Sequence, residues 1–293
     1  MALLLASALL LLAGTIFFYR AYRNTREIQI NKINVSSNNG EQSMLSILHL
    51  SDLHLENISV SPEQLTEKIK DEPIDMIALT GDFLDRKKTI PKLIPYLKEL
   101  VKIESRYGIY AVLGNHDYVL ADDDLNNLKS VLQEYRVHVM QNESKTITIN
   151  GKPVNIIGID DYYTNRSNVP LAFKKTVPGT NIVLTHDPTI VLEMTEYRFD
   201  YLMAGHFHGG QICYPKAYHL AKMGDLARNN IIKGLHSHEQ SPFYISEGLG
   251  QTGLNIRVGS RPEITFHSIP VCSVTSEKTN SMSDTSKAAV AST

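Results

Sequence analysis

The sequence predicts an α/β fold in which helices cover a central sheet. Short apolar runs alternate along the chain with segments of helical periodicity, and this alternation is typical of layered α/β domains. The apolar runs are short enough to be strands that are buried on both faces. Several of them end directly in a polar motif, and in such folds ligands bind at the carboxyl ends of the strands. The sequence therefore predicts that its chemistry lies along one sheet edge.

The first half of the region after the N-terminal apolar segment predicts strands and helices in alternation. Ser61 is available as the N-cap of the first of these helices, and Leu93, Leu97 and Leu100 have the spacing of one buried face in the second. In chain order the predicted elements are a strand at 44–50, a helix at 62–70, a strand at 74–79, a helix at 91–103, a strand at 109–113 and a helix at 122–135.

The second half predicts more strand than helix. Strands at 145–149 and 154–159 flank Asn150-Gly151-Lys152-Pro153, which is a hairpin pattern. The remaining predicted strands are 182–184, 201–204, 243–246, 254–258 and 263–269. The first two of these run directly into motifs that contain histidine.

Composition excludes several classes of protein. The 293 residues allow one large domain or two small ones. Lys and Arg number 29 and Asp and Glu number 31, so the net charge is −2 and bulk electrostatic binding of nucleic acid is not expected. With 42% hydrophobic and 20% charged residues, the chain as a whole is neither disordered nor polytopic. Its two cysteines, Cys213 and Cys272, exclude a disulfide framework and a cysteine-rich zinc module.

Residues 1–19 predict a transmembrane anchor. They carry no side chain that is charged at neutral pH, and about 19 residues at a rise of ~1.5 Å span roughly 28 Å, close to the ~30 Å hydrocarbon layer. Arg20, Arg23, Arg26 and Lys32 follow this segment, and by the positive-inside rule they keep the downstream chain in the cytoplasm. The alternatives are a buried core helix and a cleaved signal peptide, which would carry its positive charge before the apolar segment. We expect a single-pass protein of the cell membrane.

The rest of the chain divides into three predicted regions. Residues 20–43 are polar, with Ser36-Ser37-Asn38-Asn39-Gly40 at their centre, and predict a juxtamembrane linker. Residues 44–270 predict the folded domain. Residues 271–293 are rich in Ser and Thr and cannot bury enough apolar surface to order themselves, so they predict a disordered tail. We expect the protein to be a monomer.

Polar motifs at the strand ends have the residue types of a metal site. Imidazole and carboxylate together suit zinc, iron or manganese, and an amide oxygen adds a neutral ligand. Residues at i and i+2 of an extended segment point to the same side, so each such pair offers two groups to one region. The candidate ligands are Asp52, His54, Asp82, Asn115, His186, His206 and His208. These exceed what one zinc ion needs, and the set predicts two metal ions bridged by a carboxylate.

The order of these motifs resembles that of the calcineurin-like metallophosphoesterases. The pattern of that family is D-x-H, G-D, G-N-H-D/E, a lone H and G-H-x-H, and this chain contains it complete. The matching residues are Asp52-Leu53-His54, Gly81-Asp82, Gly114-Asn115-His116-Asp117, His186 and Gly205-His206-Phe207-His208. The resemblance covers about residues 45–269 and implies a layered β-sandwich flanked by α-helices.

The resemblance also implies a role for each motif residue. The implied ligands of one metal ion are Asp52, His54, Asp82 and His208, and those of the second are Asp82, Asn115, His186 and His206. Asp82 would bridge the two ions, and a water or hydroxide between them would attack phosphorus in line. His116 is similar to the non-ligand histidine of the family, which stabilises the transition state or protonates the leaving oxygen. Asp117 would orient the His116 ring through its second nitrogen, and a turn-capping role is the alternative for Asp117.

These features together predict a membrane-anchored phosphoesterase with a cytoplasmic catalytic domain and two divalent metal ions (Mn, Fe, Zn or Mg). Gly209-Gly210-Gln211 and Arg261-Pro262-Glu263-Ile264 are similar to a membrane-associated bacterial subgroup that includes enzymes compared with UDP-2,3-diacylglucosamine pyrophosphatases. The expected partners are a phosphoester substrate, for which a lipid-linked molecule is one candidate, and the membrane, without nucleic acid. The alternatives are a phosphodiesterase of soluble nucleotides and a non-catalytic binding scaffold on the same fold.

Other polar residues have simpler interpretations. Asp160 and Asp161 follow a strand, but no motif includes them, so loop structure is expected there. His49 lies inside an apolar strand and is expected to be a core histidine whose hydrogen bonds are satisfied. No chemistry is assigned to the histidines outside the motifs, which are His138, His219, His236, His238 and His267.

Overall fold

Two six-stranded sheets form the centre of the protein in a computed structural model that describes residues 1–35 and 43–271. With strands numbered along the chain, the spatial order in the first sheet is β1 (Gln29–Asn34), β12 (Glu263–Val271), β2 (Ser43–Leu50), β3 (Met76–Thr80), β4 (Ile109–Val112) and β5 (Val137–Val139). The order in the second sheet is β10 (Gly234–His238), β11 (Ser241–Ile245), β9 (Tyr201–Ala204), β8 (Thr180–Leu184), β7 (Lys152–Gly158) and β6 (Glu143–Ile149). The α/β prediction is confirmed.

Helices cover the outer face of each sheet. Those on the first sheet are α2 (Pro62–Ile69), α3 (Ile90–Lys102) and α4 (Asp122–Glu134), and those beside the second are the short α5 (Val169–Phe173) and α6 (Asp225–Arg228). The predicted cap of α2 is present, because Ser61 Oγ accepts the N–H of Gln64 at 3.2 Å and Gln64 Oε1 accepts the N–H of Ser61 at 2.9 Å. The four layers are therefore helix, sheet, sheet and helix.

The central core lies between the two sheets. Along β2, Leu45 and Ile47 point into this core, and Leu48 and Leu50 point to the helices on the other face, as the two-residue period of a strand requires. The second sheet contributes residues of β7, β8, β9 and β11 to the same core. Burial on both faces explains why these strands are almost continuously apolar.

Most strands of each sheet run parallel, so their carboxyl ends meet at one edge. β2, β3, β4 and β5 are parallel neighbours in the first sheet, and β7, β8, β9 and β11 are parallel neighbours in the second. The two edges come together, because His186 Nδ1, which follows β8, lies 2.7 Å from the carbonyl oxygen of Thr80 at the end of β3. The strand-end motifs of both sheets thus reach a common region.

Several parts of the fold differ from the predicted elements. β1 lies inside the predicted linker and pairs in parallel with β12. Its side chains are mostly exposed, since an edge strand is held by main-chain hydrogen bonds, and its apolar pattern is therefore weak. Residues 254–258 do not form a strand, because only Val258 pairs, in an isolated bridge with Ile212. The short strand β5 and the edge strand β10 carry too few apolar residues to stand out in the sequence.

The N-terminal helix α1 (Ala2–Asn24) is longer than the predicted apolar segment. Its most apolar 18-residue window has a mean hydropathy of 2.3 and is 0% buried, so by length and composition it could cross a membrane or serve as a signal sequence. Its last turn contacts the domain, where Ala21 is buried and Asn24 Nδ2 donates to the carbonyl oxygen of Arg257 at 2.8 Å. The centre of the predicted linker and nearly all of the predicted tail, 36–42 and 272–293, lie outside the described residues.

Candidate metal centre

The candidate ligands lie in tight turns that directly follow the strands. The backbone N–H of Asp52 donates to the carbonyl oxygen of Gly81, and that of His54 donates to the carbonyl oxygen of Asp82, so the turns after β2 and β3 hold each other. Five candidate ligands have a left-handed φ between 39° and 77°, namely Asp52, His54, Asp82, His206 and His208. Such a backbone is uncommon outside glycine and concentrates at functional sites, where the surrounding structure maintains it.

One group of side chains combines two carboxylates and two imidazoles from both sheets. The possible ligand atoms of Asp52, His54, Asp82 and His208 all lie within 4.8 Å of one another. His54 Nε2 is 3.1 Å from His208 Nε2 and 3.5 Å from Asp82 Oδ2. His208 Nε2 is 3.4 Å from Asp52 Oδ1. All four side chains are buried.

A second group shares Asp82 with the first. His186 Nε2 lies 3.1 Å from Asp82 Oδ2, 3.2 Å from Asn115 Oδ1 and 3.2 Å from His206 Nδ1. The amide oxygen of Asn115 therefore joins the carboxylate and the two imidazoles around one point. Because Asp82 Oδ2 faces both His54 and His186, the two groups meet at this single carboxylate oxygen.

The hydrogen bonds of the two central histidines leave their Nε2 atoms free to bind a cation. His186 Nδ1 donates to the carbonyl oxygen of Thr80 at 2.7 Å, and His54 Nδ1 pairs with Asp85 Oδ1 at 3.1 Å. Each Nε2 then faces other lone pairs, an arrangement that a shared cation stabilises. Burial lowers the pKa of His186, but the nearby Asp82 carboxylate outweighs this effect and raises that pKa well above its usual value. The cluster around His186 therefore favours positive charge.

The other two histidines favour the neutral state that a metal ligand needs. Burial lowers the pKa of His206 to about 4, and burial together with the charge of His54 lowers the pKa of His208 well below its usual value. Carboxylate, amide and neutral imidazole donors therefore lie together in one cluster, in which only Asn115 among the proposed ligands is half-buried and the others are buried. This donor set fits divalent transition metal ions.

Asp85 belongs to the site although the sequence interpretation did not single it out. Its Oδ1 lies 3.1 Å from His54 Nδ1 and 3.1 Å from His116 Nδ1, so one carboxylate positions both rings. The backbone N–H of His116 also donates to Asp82 Oδ1 at 2.8 Å. Burial lowers the pKa of His116, but the hydrogen bond to Asp85 outweighs this effect and raises that pKa above its usual value. The available signal was a second aspartate three positions after Asp82 in the same turn.

Asp117 does not orient His116 as predicted. The Asp117 side chain is fully buried beneath the turn. Its two carboxylate oxygens accept four backbone N–H groups at 2.9–3.3 Å, those of Asp82, Phe83, Leu84 and Gly114. Asp117 therefore caps the turn, which was the alternative role. Its carboxylate lies underneath the turn, accepts these main-chain N–H groups and so holds the backbone of Asp82 in place.

The polar residues that were expected to be structural make structural hydrogen bonds. Asp160 accepts hydrogen bonds from Tyr118 and Gln141, and Asp161 accepts the N–H of Thr164, so both stabilise a loop. His49 is buried between the sheets and its Nε2 lies 2.8 Å from Thr80 Oγ1, which confirms it as a core histidine.

Comparison with known proteins gives matches over the same region. A family model described as calcineurin-like phosphoesterase matches residues 45–210, a range that contains every strand-end motif. An uncharacterized metallophosphoesterase of Bacillus subtilis (strain 168), YkoQ, is 59% identical over 255 residues, which are 86% of this chain and 94% of the relative. The UDP-2,3-diacylglucosamine pyrophosphatase LpxG of Chlamydia trachomatis is 27% identical over 277 residues, 75% of this chain and 82% of LpxG.

Solved structures are similar at low sequence identity. The crystal structure of the phosphopantetheinyl hydrolase PptH from Mycobacterium tuberculosis has 13% identity and a TM-score of 0.43, and the match covers 70% of this chain and 89% of that one. The purple acid phosphatase PPD1 of yellow lupin has 12% identity and a TM-score of 0.38, and covers 59% of this chain and 39% of that one.

Proposed function

Because the chain belongs to the calcineurin-like phosphoesterase family, we propose that it is a membrane-anchored enzyme that uses two divalent metal ions to hydrolyse phosphodiester or pyrophosphate bonds. That it is a metal-dependent phosphoesterase follows from the family together with the buried histidine and aspartate groups. The observation that carries the two-metal proposal is the position of Asp82 Oδ2, which faces His54 on one side and His186 on the other.

The two groups of side chains give each ion a complete set of donors. The ligands proposed for the first ion are Asp52, His54, Asp82 and His208, and those for the second are Asp82, Asn115, His186 and His206. When bound, the ions supply charge neutralisation at the phosphoryl group and activation of the attacking water. Mn, Fe, Zn and Mg are the candidate ions, of which Mg²⁺ favours oxygen over nitrogen donors, and manganese is the ion that we propose to test first.

His116 is the proposed acid of the reaction. Its side chain is 32% exposed, in contrast with the buried aspartate and histidine ligands, so it can reach a bound substrate. The hydrogen bond from His116 Nδ1 to Asp85 leaves Nε2 to stabilise the developing charge or to protonate the leaving oxygen. Asp85 acts through His116 by fixing the ring and by favouring its protonated form.

A lipid-linked substrate is the proposed specificity. Helix α1 supplies an apolar segment whose most apolar window is unburied, and an anchored enzyme meets membrane-confined substrates at raised effective concentration. The similarity to a UDP-2,3-diacylglucosamine pyrophosphatase supports a pyrophosphate that joins a nucleotide to a lipid-bearing sugar. The contact of Asn24 with Arg257 makes the last turn of α1 part of the folded domain, so cleavage after residue 24 would remove part of that domain. We propose that the catalytic domain is cytoplasmic.

The test is a substrate panel with full-length protein in liposomes. We expect Mn²⁺-loaded protein to hydrolyse bis-p-nitrophenyl phosphate, and to hydrolyse UDP-2,3-diacylglucosamine in the same vesicles with a higher kcat/KM. A higher kcat/KM for a soluble cyclic nucleotide would favour the nucleotide phosphodiesterase instead. Failure to hydrolyse any phosphoester with Mn²⁺, Fe²⁺, Zn²⁺ or Mg²⁺ would favour the binding scaffold.

A charged variant of α1 separates anchoring from catalysis. Leu10 and Leu11 are exposed on the helix, and replacing both with arginine opposes insertion by about 2.5–3.5 kcal/mol for each residue at a membrane centre. We expect Leu10→Arg/Leu11→Arg to leave the membrane fraction and keep its activity on the soluble ester. Protease added to intact cells should leave the domain of the unaltered protein undigested, and digestion would contradict the cytoplasmic orientation.

A further inference from the structure

A fully buried arginine lies behind the candidate metal centre. Arg257 is 0% exposed and lies on the loop between β11 and β12. Its Nη1 donates to the carbonyl oxygens of Glu247 and Arg261, each at 2.8 Å. Its Nη2 donates to those of Gly248 at 3.0 Å and Gly250 at 2.6 Å. Burial lowers the pKa of Arg257 to about 10, so the side chain is still charged at neutral pH.

Burying a charged side chain costs free energy. The buried guanidinium of Arg257 binds carbonyl groups of the loop that lies behind two candidate ligands. The planar guanidinium carries several donors in a rigid fork and can hold several carbonyls of one loop at once. Residues 247–250, which provide three of these carbonyls, form the segment that we call the backing loop.

The backing loop packs directly against the turn that carries Asp52 and His54. The N–H of Leu249 donates to the carbonyl oxygen of Ser51 at 2.9 Å, and that of Gly250 donates to the carbonyl oxygen of Asp52 at 2.7 Å. A Cβ atom at Gly250 would lie 1.9 Å from the carbonyl oxygen of Leu53, so the loop approaches as closely as glycine allows. Asp52 and His54 have a positive φ, and this contact helps to maintain their uncommon backbone.

The main chain of Arg257 makes the contact with α1. Its N–H donates to the carbonyl oxygen of Ala21 at 2.9 Å, and its carbonyl oxygen accepts from Asn24 Nδ2 at 2.8 Å. Thr25, just after the helix, is buried and its Oγ1 donates to Ser59 Oγ at 2.9 Å. One residue therefore contacts both the end of the apolar helix and the backing loop.

We propose that Arg257 is a positioning residue that couples the docking of α1 to the geometry of Asp52 and His54. Its guanidinium holds the backing loop behind these two ligands, and its main chain holds the last turn of the helix. A change at the membrane helix then alters the metal affinity of the domain without touching a ligand. This inference rests on the proposed metal centre.

The experiment measures Mn²⁺ affinity by isothermal titration of full-length, metal-stripped protein in detergent. We expect Arg257→Lys to keep the charge but to lose most of the four carbonyl contacts, and to weaken Mn²⁺ binding by about 10–100-fold, the range for residues that orient ligands. Asn24→Ala should weaken it in the same direction by a smaller factor. Arg198→Lys, at a side chain that is 84% exposed and lies before β9, away from α1 and the backing loop, is the control and should bind Mn²⁺ as the unaltered protein does.

Thermal unfolding of the metal-free variants, measured in parallel, separates loss of stability from loss of metal affinity. An Arg257→Lys protein that folds and binds Mn²⁺ as tightly as the unaltered chain would overturn the proposal. If Arg257→Lys does not fold, the Asn24→Ala variant is the test of the proposal. An unchanged Mn²⁺ affinity of Asn24→Ala would overturn the coupling between α1 and the ligands. Absence of Mn²⁺ binding by the unaltered protein would instead refute the metal centre itself, and this inference with it.

Discussion

The described residues include two groups of buried histidines whose rings lie close together within each group. The two groups differ in the side chains that surround them. In the metal centre, His54 Nε2 and His208 Nε2 are 3.1 Å apart. Between the sheets, His49 Nδ1 and His267 Nε2 are 3.3 Å apart, and this second group is the interior pair. Separation alone therefore does not distinguish a metal site from a structural contact.

The partners of the ring nitrogens make the difference. In the interior pair the outer nitrogens face hydroxyl groups, with His49 Nε2 at 2.8 Å from Thr80 Oγ1 and His267 Nδ1 at 2.9 Å from Tyr201 Oη. Each hydroxyl can donate or accept, so neutral rings satisfy every contact. Burial lowers the pKa of His49 to about 3 and keeps it uncharged. In the candidate metal centre the rings face carboxylates that cannot donate, and the carboxylates raise the pKa values of His54 and His186, so this group favours positive charge.

Removing the carboxylate that the two ligand groups share should have the largest effect on the candidate metal centre. Asp82→Asn keeps the size of the side chain but removes the negative charge that both ligand groups use. We expect loss of bound metal and a fall in kcat/KM of at least about a thousandfold, beyond the 10–100-fold typical of outer partners. Metal content by mass spectrometry and hydrolysis of bis-p-nitrophenyl phosphate are the measurements. Full metal content in this variant would contradict the bridging role.

A second variant separates catalysis from metal binding. His116→Ala removes the proposed acid, which is not among the proposed ligands, so kcat should fall by about 10²–10⁴-fold with metal content unchanged. His219→Ala is the control, since that histidine is exposed and lies outside the motifs. Loss of metal in His116→Ala would make this residue a ligand and would invalidate the division of roles.

A substitution of Asp85 should have a smaller effect on activity, and it tests whether this carboxylate orients the rings of His54 and His116. Asp85→Asn retains an oxygen near His54 and His116 but loses the charge, and we expect activity to fall by about 10–100-fold. Asp122→Asn, on the exposed start of α4, is the matched control. Activity equal to that of the control would remove Asp85 from the site.

The interior pair should affect stability alone. Unfolded histidine binds a proton below pH ~6.5, whereas folded His49 does so only near its pKa of about 3, so protonation of the unfolded state lowers stability as the pH falls. Between pH 7 and pH 5 this residue should account for about 1–2 kcal/mol of the loss. His49→Gln should reduce that pH dependence and retain metal and activity.

Denaturant unfolding of metal-free protein at the two pH values, in one detergent, measures the effect. The difference between the unaltered chain and His49→Gln isolates His49 from the histidines of the metal centre, which titrate in both. Equal pH dependence in the two proteins would mean that His49 is not held neutral. A loss of metal in His49→Gln would erase the distinction between the two groups.

Much of the candidate site was predictable because its signals are local. Each candidate ligand directly follows an apolar strand, and parallel strands bring such positions to one edge, so the pattern predicted that His54 and His186 would meet. The missed residues carry no comparable signal. Asp85 has only the weak signal of a second aspartate after Asp82 and is identified by its contacts with two rings, and Arg257 is identified by its contacts with carbonyl groups of a glycine-rich loop. β1 was missed because an edge strand needs little apolar surface.

The sequence by itself determined which donors this protein brings to the strand ends and in what order, because residue type and strand position are properties of short segments. The tertiary structure alone decided how those donors are shared. It placed Asp82 Oδ2 between two imidazoles, gave the positioning of His116 to Asp85 rather than Asp117, and connected α1 to the turn behind Asp52 through Arg257. These relations depend on distances of a few ångströms between turns that are separate in the chain, and such distances arise only when the strands pair and the two sheets pack against each other.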